Sequence, residues 1–239
     1  MILSLNQMYG DKLGASDGVI GHVKDVYFDG KHWGVRYLVV DTGSWISGRQ
    51  VLISPHSFGS VYQAGKLMLV NLTRKQIEDS PSIDAHKPIS RHYEEDYLSY
   101  FGWPMYWQGE ELWGSSGFPV SSKPTFRQLA GTSNAGDREH VNFDAHLLSA
   151  KALSSYEISA EDQVVGTIAD FLMDDQNWAI RHVVMKSGDW IEGKTLLLSP
   201  LQIERISCAE AKVFLRSSRQ DLKNATTYHE LTTAEASQG

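Results

Sequence analysis

Apolar and polar residues alternate with a period of two along much of this chain, which is the pattern of β-strands with one buried face. Residues 19–28 alternate in this way. Residues 34–40 and 180–185 are instead apolar on both faces of the predicted strand. A strand of that kind is buried on both sides, so we expect another segment to cover the outside of the sheet at each place.

Turn residues separate the predicted strands at short intervals. The sequence Asp-Gly-Lys at residues 29–31 predicts a hairpin turn, and residues 42–44 predict a second turn. Two further strands are predicted at residues 49–54 and 66–71. Short helices are predicted at residues 5–9, 73–79, 150–154 and 218–224.

The chain contains an internal repeat. Residues 3–77 align without a gap on residues 148–222, at a constant offset of about 145 positions. From residue 14 to residue 55 roughly sixteen of about forty-two positions are identical, which chance does not explain. Ser4 and Ser149 match each other as predicted N-caps. The matched positions with distinctive side chains are Gly21 and Gly166, Asp25 and Asp170, Trp33 and Trp178, Arg36 and Arg181, Trp45 and Trp190, and Pro55 and Pro200.

A repeat of about 75 residues has the length of a small domain rather than of a solenoid unit. We therefore predict module 1 at residues 1–80, an aromatic and acidic insert at 81–145, module 2 at 146–229 and a polar tail at 230–239. Several short strands in one module favour a closed or nearly closed barrel. The predicted fold is mainly β, with two small barrels in tandem, short flanking helices and an aromatic-rich insert.

Composition narrows the function classes. The 239 residues carry a formal net charge of −7 and show no basic cluster, which disfavours binding to nucleic acid. The single cysteine, Cys208, excludes an intrachain disulfide and is expected to be a small core residue. The first residues lack the basic and apolar regions of a signal peptide, and no apolar run is long enough to span a bilayer. A cytoplasmic location is therefore expected.

Three short patterns in module 1 resemble a known family. Residues 21–29 read Gly-x-Val-x-Asp-Val-x-x-Asp, an apolar strand follows at 37–40, and Leu-Ile-Ser-Pro ends the stretch at 52–55. Together they resemble the PRC-barrel domain, and the signature recurs at 166–174 and 197–200. That family includes the cytoplasmic domain of the photosynthetic reaction centre H subunit and the C-terminal domain of the ribosome maturation factor RimM. The resemblance implies a six-stranded barrel that serves as a docking surface and has no active site common to the family.

The matched residues favour structural roles. Trp33 with Trp178, and Trp45 with Trp190, are expected to plug barrel ends or to pack between the modules, with interface anchoring as the alternative. Asp25 and Asp170 lie between apolar strand residues and are expected to accept hydrogen bonds rather than to bind metal. Arg36 lies three residues after Trp33, on the opposite strand face, so contact between these two side chains is not expected.

The insert is both acidic and densely aromatic over residues 93–107, so it is expected to be ordered against another surface. One interpretation is a strap that covers the outer strand faces or joins the barrels. The other is a binding patch for a partner protein. The aromatic residues of that candidate patch are Trp103, Tyr106, Trp107 and Trp113, and its acidic rim is Glu94, Glu95, Glu110 and Glu111.

The sequence shows no recognised pattern for catalysis, cofactor binding or metal binding. The nine histidines form no His-x-His or His-Glu-x-x-His arrangement, and nucleotide-binding and Gly-x-Ser-x-Gly loops are absent. His140 and His146, with the acidic residues around them, are the nearest approach to a ligand cluster, and a solvated loop explains them better. We therefore predict no cofactor, no metal and no catalytic residue.

The function predicted from sequence is a non-enzymatic protein-binding or scaffold protein of the bacterial cytoplasm. The expected partners are proteins, including a second copy of the chain, with nucleic acid disfavoured and membrane association only through a partner. One alternative is a ribosome- or RNA-associated assembly factor, and another is an accessory protein of photosynthetic reaction centre or membrane complexes. An enzyme would need a pocket of converging polar groups, which the sequence does not display.

Overall fold

The structure is a computed structural model. It describes residues 1–46, 48–58, 67–83, 88–120, 146–161, 163–188, 193–223 and 226–228. Trp190, the predicted tail and the histidine at position 140 lie outside the described residues, as does the second part of the insert.

The described residues form short strands and shorter helices. The strands are β1 (Ile2–Ser4), β2 (Lys12–Ala15), β3 (Gly18–Asp29), β4 (Val35–Asp41), β5 (Gln50–Ile53), β6 (Met68–Leu69), β7 (Leu147–Ser149), β8 (Glu157–Ala160), β9 (Gln163–Asp174), β10 (Ile180–Ser187), β11 (Thr195–Leu198), β12 (Ile203–Ser207) and β13 (Lys212–Leu215). The α-helices are α1 (Leu5–Met8), α2 (Arg74–Glu78), α3 (Arg91–Phe101), α4 (Ala150–Leu153) and α5 (Arg219–Leu222). The 3-10 helices are Pro55–Ser57 and Pro200–Gln202. The mainly β fold predicted from the sequence is confirmed.

The two sheets have the same plan. Module 1 has the strand order β5-β4-β3-β2-β6 and module 2 the order β11-β10-β9-β8-β13-β12. Neighbouring strands are antiparallel, except that β2 pairs with β6 and β8 with β13 in parallel. Each strand of the first sheet therefore has its counterpart in the second, as the constant offset of the repeat requires.

The first strand of each module pairs with the sheet of the other module. β1 pairs with β9, and β7 pairs with β3, both antiparallel. The helices after them, α1 and α4, begin at the predicted N-caps: the side chain of Ser4 accepts a bond from the N–H of Gln7, and that of Ser149 from Ala152. We call β1–α1 and β7–α4 the exchanged arms. Sequence alignment cannot reveal this exchange, because it leaves the repeat unchanged.

The hairpin turns of the modules also pair with each other. Gly34 and Ala179 form an antiparallel bridge. The N–H of Val35 donates to the carbonyl of Trp178 at 2.8 Å, and the N–H of Ile180 donates to the carbonyl of Trp33 at 2.7 Å. These bonds and the exchanged arms relate matched residues reciprocally, so the modules form a pseudo-twofold pair. One hydrophobic core runs through both modules.

β4 is buried on both faces from Val35 to Val40, as its apolar sequence predicts. In β10 the residues near the turn differ: Arg181 is exposed and His182 is half-buried. The outer faces of the two modules are therefore covered to different extents. No helix among the described residues is long and apolar enough to cross a membrane.

Candidate functional site

The described part of the insert forms one structure that lies on module 1. We call residues 88–120 the strap. It starts with α3, where the side chain of Ser90 accepts a hydrogen bond from the N–H of Tyr93. Gly102 ends the helix with φ 70°, a left-handed conformation that glycine adopts without strain. The helix therefore has a defined start and a defined stop.

Tyrosines of α3 fix the strap to the backbone of module 1. The hydroxyl of Tyr97 donates to the carbonyl of Leu52 at 2.8 Å, and that of Tyr100 donates to the carbonyl of Gln76 at 3.1 Å. Tyr97 also meets Tyr37 of β4 edge-on, with ring centroids 5.4 Å apart. The helix thus supplies the outer cover that the apolar sequence of β4 predicts.

Three of the four aromatic side chains proposed as a binding patch lie in the interior. Trp103, Tyr106 and Trp113 are buried, and Trp107 is half-buried. Glu94, predicted on the rim of the patch, is also fully buried. The structure therefore places this set in a strap against module 1, which is the first of the two interpretations that the sequence left open.

Arg36 lies beneath the part of the strap that follows α3, residues 103–114, which we call the aromatic loop. Its guanidinium donates to Asp29 Oδ2 at 3.2 Å and lies 3.8 Å from the ring centroid of Tyr106 and 4.7 Å from that of Trp113. The rings that stack on Arg36 belong to the strap rather than to Trp33. Burial lowers the pKa of Arg36, whereas Tyr106 and Asp29 act in the opposite direction. A buried guanidinium keeps its charge only with such partners.

His56 fills the space next to Arg36. It belongs to the 3-10 helix Pro55–Ser57, which is buried throughout. Its ring stacks on Trp103 at 5.6 Å and meets Trp113 edge-on at 4.9 Å. Burial lowers the pKa of His56 to about 4. At pH 7 the His56 ring is therefore uncharged, and it packs between two tryptophan rings.

Glu94 joins three parts of the chain in the interior. Its Oε1 accepts hydrogen bonds from the hydroxyls of Tyr37 at 3.0 Å and Tyr106 at 2.9 Å. Its Oε2 pairs with Arg91 at 3.2 Å and with His146, the residue before β7. Burial, followed by the charge of Glu94, raises the pKa of Tyr37 and of Tyr106. The carboxylate thus connects the strap, module 1 and an exchanged arm.

Asp25 and Asp170 hold the exchanged arms. Ser149 donates to Asp25 Oδ2 at 2.6 Å, and Ser4 donates to Asp170 Oδ2 at 2.5 Å. Each carboxylate also accepts a backbone N–H from the same arm, at 3.1 Å and 3.0 Å. Burial raises the pKa of both aspartates, and these hydrogen bonds oppose the rise. The predicted role as hydrogen-bond acceptors is confirmed, and the bonds run between modules.

The matched tryptophans after the hairpins lie near the pseudo-twofold axis. Trp33 and Trp178 have positive φ angles of 58° and 61°. Trp33 is half-buried and stacks on Phe28 at 5.3 Å. Trp178 is buried and packs on Phe58 of the other module at 5.0 Å. Trp178 therefore packs between the modules, the first of the roles expected for this pair.

The remaining matched residues shape the backbone. A Cβ added at Gly21 would lie 1.9 Å from the carbonyl oxygen of Asp41, and one at Gly166 would lie 2.4 Å from that of Lys186. Side chains are therefore excluded where β3 and β9 meet their neighbours. The other matched residues are Trp45, which is half-buried with Arg74 4.3 Å from its ring centroid, and Pro55 and Pro200, which begin the 3-10 helices.

The histidine cluster considered from the sequence falls mostly outside the described residues. Within them, His146 bonds Glu94 as above. No group of three or more His, Cys, Asp or Glu side chains in the described ranges could hold a metal ion. Cys208 is exposed, so its expected place in the core is wrong.

Module 2 carries the same arginine, and no strap lies over it among the residues that the structure describes. Arg181 donates to Asp174 Oδ2 at 3.1 Å, and its side chain is 48% exposed, against 1% for Arg36. Leu201, which matches His56, is 86% exposed, against 2% for the histidine. One of two matched faces is thus covered, and the other is open to solvent at these residues.

Comparison with known proteins supports the assignment of module 1. No curated protein matches the chain. The family model of the PRC-barrel domain matches residues 9–77, which include β2 to β6 and α2. The match begins after α1, so it leaves out the exchanged arm. Residues 9–77 therefore form a PRC-barrel domain.

Proposed function

We propose that this chain is a non-enzymatic scaffold of the bacterial cytoplasm that docks partner proteins on exposed surfaces of its two modules. The PRC-barrel domain fits a role in protein interaction. The carrying observation is the reciprocal joining of the modules, because bonds between Ser4 and Asp170 and between Ser149 and Asp25 fix two docking faces in one geometry.

The polar groups of module 1 support this proposal. Glu94 and Arg36 are charged side chains of the interior, and both are paired with protein groups. Their partners join the strap to module 1 and to an exchanged arm. Buried ionic groups of this kind position segments relative to one another.

Exposed apolar side chains supply candidate contact points. Val19 and Val164, which are matched, are 52% and 50% exposed, and Leu69 and Leu201 are 55% and 86% exposed. Apolar side chains on a surface contribute to binding when a partner removes them from water. We expect a partner that docks on either module to cover at least one of them.

Site-specific photo-crosslinking in the source cells tests the proposed function. A photoreactive amino acid is placed singly at Val19, Leu69, Val164 and Leu201, and at buried Tyr97 as the control. We expect a discrete protein adduct from at least one exposed position and none from Tyr97. The scaffold proposal fails if no exposed position gives a protein adduct, or if the adducts disappear on nuclease treatment.

A further inference from the structure

The pseudo-twofold relation defines a second copy of the place where the strap binds. On the covered side Trp113 contacts Arg36 of module 1, and its indole N–H donates to the carbonyl of Asn177 in the module 2 turn at 2.8 Å. The matched residues on the other side are Arg181 of module 2 and His32 in the module 1 turn. We call Arg181, Leu201, Lys31 and His32 the open face.

The 3-10 helices show how completely the two sides differ. All three residues of Pro55–Ser57 are buried, whereas no residue of Pro200–Gln202 is buried. In module 1 the strap packs Trp103 and Trp113 on His56. The matched Leu201 presents an apolar side chain to solvent instead. An aliphatic side chain with such exposure gains more than a histidine does when a partner covers it.

Arg181 of the open face is fixed by an ion pair and stays accessible to a partner. The bond from Arg181 to Asp174 measures 3.1 Å, against 3.2 Å for Arg36 to Asp29. A Cβ at Gly34 would lie 2.8 Å from the guanidinium carbon of Arg36. Module 2 has Ala179 at the matched position, so its methyl group excludes the inward position and leaves the guanidinium at the surface.

The open face is more basic than the covered one. The module 2 turn carries Gln176 and Asn177, and the Asn177 carbonyl accepts the bond from the strap, whereas the module 1 turn carries Lys31 and His32, both exposed. Basic side chains together with an exposed leucine complement acidic segments that carry aromatic side chains. The strap has that composition, since its aromatic loop also contains Glu110 and Glu111.

We propose that the open face binds an acidic, aromatic-rich segment of a partner protein, in the way that the strap covers the matched face of module 1. This inference rests on the proposed scaffold function and assigns it a surface and a class of ligand. An aromatic ring of the partner stacks on Arg181, apolar side chains cover Leu201, and acidic residues meet Lys31. The strap of the same chain is not the occupant, because its aromatic side chains are buried against module 1.

A peptide with the sequence of residues 103–114 is a direct probe, because it carries the rings and the acidic residues of the covered side. It is labelled and titrated into the full chain by fluorescence anisotropy, and the leucine methyl signals are followed by NMR. The control peptide has alanine in place of Tyr106 and Trp113. Binding at about 1 mM or below is expected for the first peptide, with shifts of the Leu201 methyl signals.

Three variants of the full chain locate the binding. Leu201→Asp and Arg181→Glu are each expected to weaken peptide binding about fivefold or more. Val164→Asp is the matched control. Val164 is 50% exposed and is not one of the four residues that define the open face. All three positions are exposed or half-exposed, so the variants are expected to melt within a few degrees of the wild type.

Several outcomes overturn the proposal. These are no binding at about 1 mM, equal binding of the control peptide, or binding that Leu201→Asp leaves unchanged. Sedimentation that shows dimers of the wild type and monomers of Leu201→Asp assigns the face to a second copy and also overturns it. A protein adduct at Val19 or Leu69 without peptide binding here leaves the scaffold function standing and removes only this site.

Discussion

Modules 1 and 2 place the same arginine and aspartate on the same two strands, yet Arg36 is 1% exposed and Arg181 is 48% exposed. The backbone plan is shared, so the difference comes from the strap over Arg36 and from the change of Gly34 to Ala179 beside the guanidinium. The strap covers β4 and β5 of module 1, whereas in the described part of module 2 Tyr228 packs on a small cluster that contains Val184. Duplication thus preserved the fold and allowed the two faces to diverge.

Removing a central ring of the strap should produce the largest effect. Trp113→Ala deletes a fully buried indole that contacts both Arg36 and His56. The free energy of unfolding is expected to fall by about 4 kcal/mol, because a cavity forms beside a buried guanidinium. Urea unfolding followed by circular dichroism measures the loss.

Trp107→Ala is the matched control for that change, because Trp107 is a half-buried tryptophan of the same loop. Its loss is expected to be about 1 kcal/mol. Equal losses for the two variants would show that the loop contributes hydrophobic area in general and that the contacts of Trp113 are not special.

Lowering the pH should lower the free energy of unfolding through His56, which is buried under the strap. Its pKa in the folded state is about 4, below the 6.5 of an exposed histidine, because burial disfavours the charged form. The unfolded chain therefore binds a proton between pH 6.5 and 4 that the folded chain rejects, so stability falls as the pH falls through this window. The contribution reaches about 3 kcal/mol at the acid end.

Replacing His56 with the residue of the matched position tests this dependence. In His56→Leu the carboxylates and the other histidines are unchanged, so the difference between the two pH profiles isolates His56. Stability is measured by urea unfolding at pH 7 and at pH 4.5. The variant should lose about 2 kcal/mol less than the wild type between these values. Parallel profiles would mean that the buried ring is protonated at little cost.

Removing either of the two matched aspartates that hold the exchanged arms should lower the free energy of unfolding by a similar amount. Asp25→Ala removes the acceptor for Ser149, and Asp170→Ala removes the acceptor for Ser4. Each variant is expected to lose about 2 kcal/mol, since hydrogen bonds to a charged acceptor are lost inside the interface.

A double-mutant cycle checks that the loss comes from the bond between arms. The coupling energy of Asp25→Ala with Ser149→Ala should be about 1 kcal/mol, whereas Asp25→Ala with Ser4→Ala should be additive. Coupling to Ser4 and not to Ser149 would contradict the reciprocal exchange of the arms.

Much of this fold follows from the sequence. The alternation of residues 19–28 predicts β3, the apolar run at 34–40 predicts β4 together with its cover, and the serine N-caps predict α1 and α4. These features are local, because hydrophobic period and capping chemistry act within one element. The gapless repeat then transfers the strand and N-cap predictions to module 2, but the predicted cover does not transfer, since Arg181 is exposed.

The exchange of arms and the side on which the strap lies could not be derived in this way. The sequence does not decide whether β1 pairs with β3 or with β9, because these matched strands have similar sequences and offer β1 equivalent edges. The burial of Arg36 depends on side chains far away in sequence, and only the contrast of Gly34 with Ala179 hints at it. The aromatic insert predicts order, but composition alone cannot separate an intramolecular strap from a binding patch.

Exchanging glycine and alanine at the matched positions Gly34 and Ala179 gives the smallest expected change in the free energy of unfolding. Gly34 lies against the guanidinium of Arg36, where a Cβ would approach the guanidinium carbon to 2.8 Å. Gly34→Ala should cost about 1 to 2 kcal/mol, because the buried ion pair must shift under a packed strap. Ala179→Gly should cost only about 0.5 to 1 kcal/mol, the ordinary backbone cost of glycine in a strand.

Removing the guanidinium of Arg36 tests why Gly34→Ala lowers the free energy of unfolding. In an Arg36→Ala background the added methyl group has room, so Gly34→Ala should become neutral or slightly stabilising, since alanine restricts the unfolded chain. If Gly34→Ala costs as much with Arg36 as without it, the methyl group collides with the backbone bridge to Ala179. In that case the divergence of the two faces begins at the hairpin turns, and the strap only follows it.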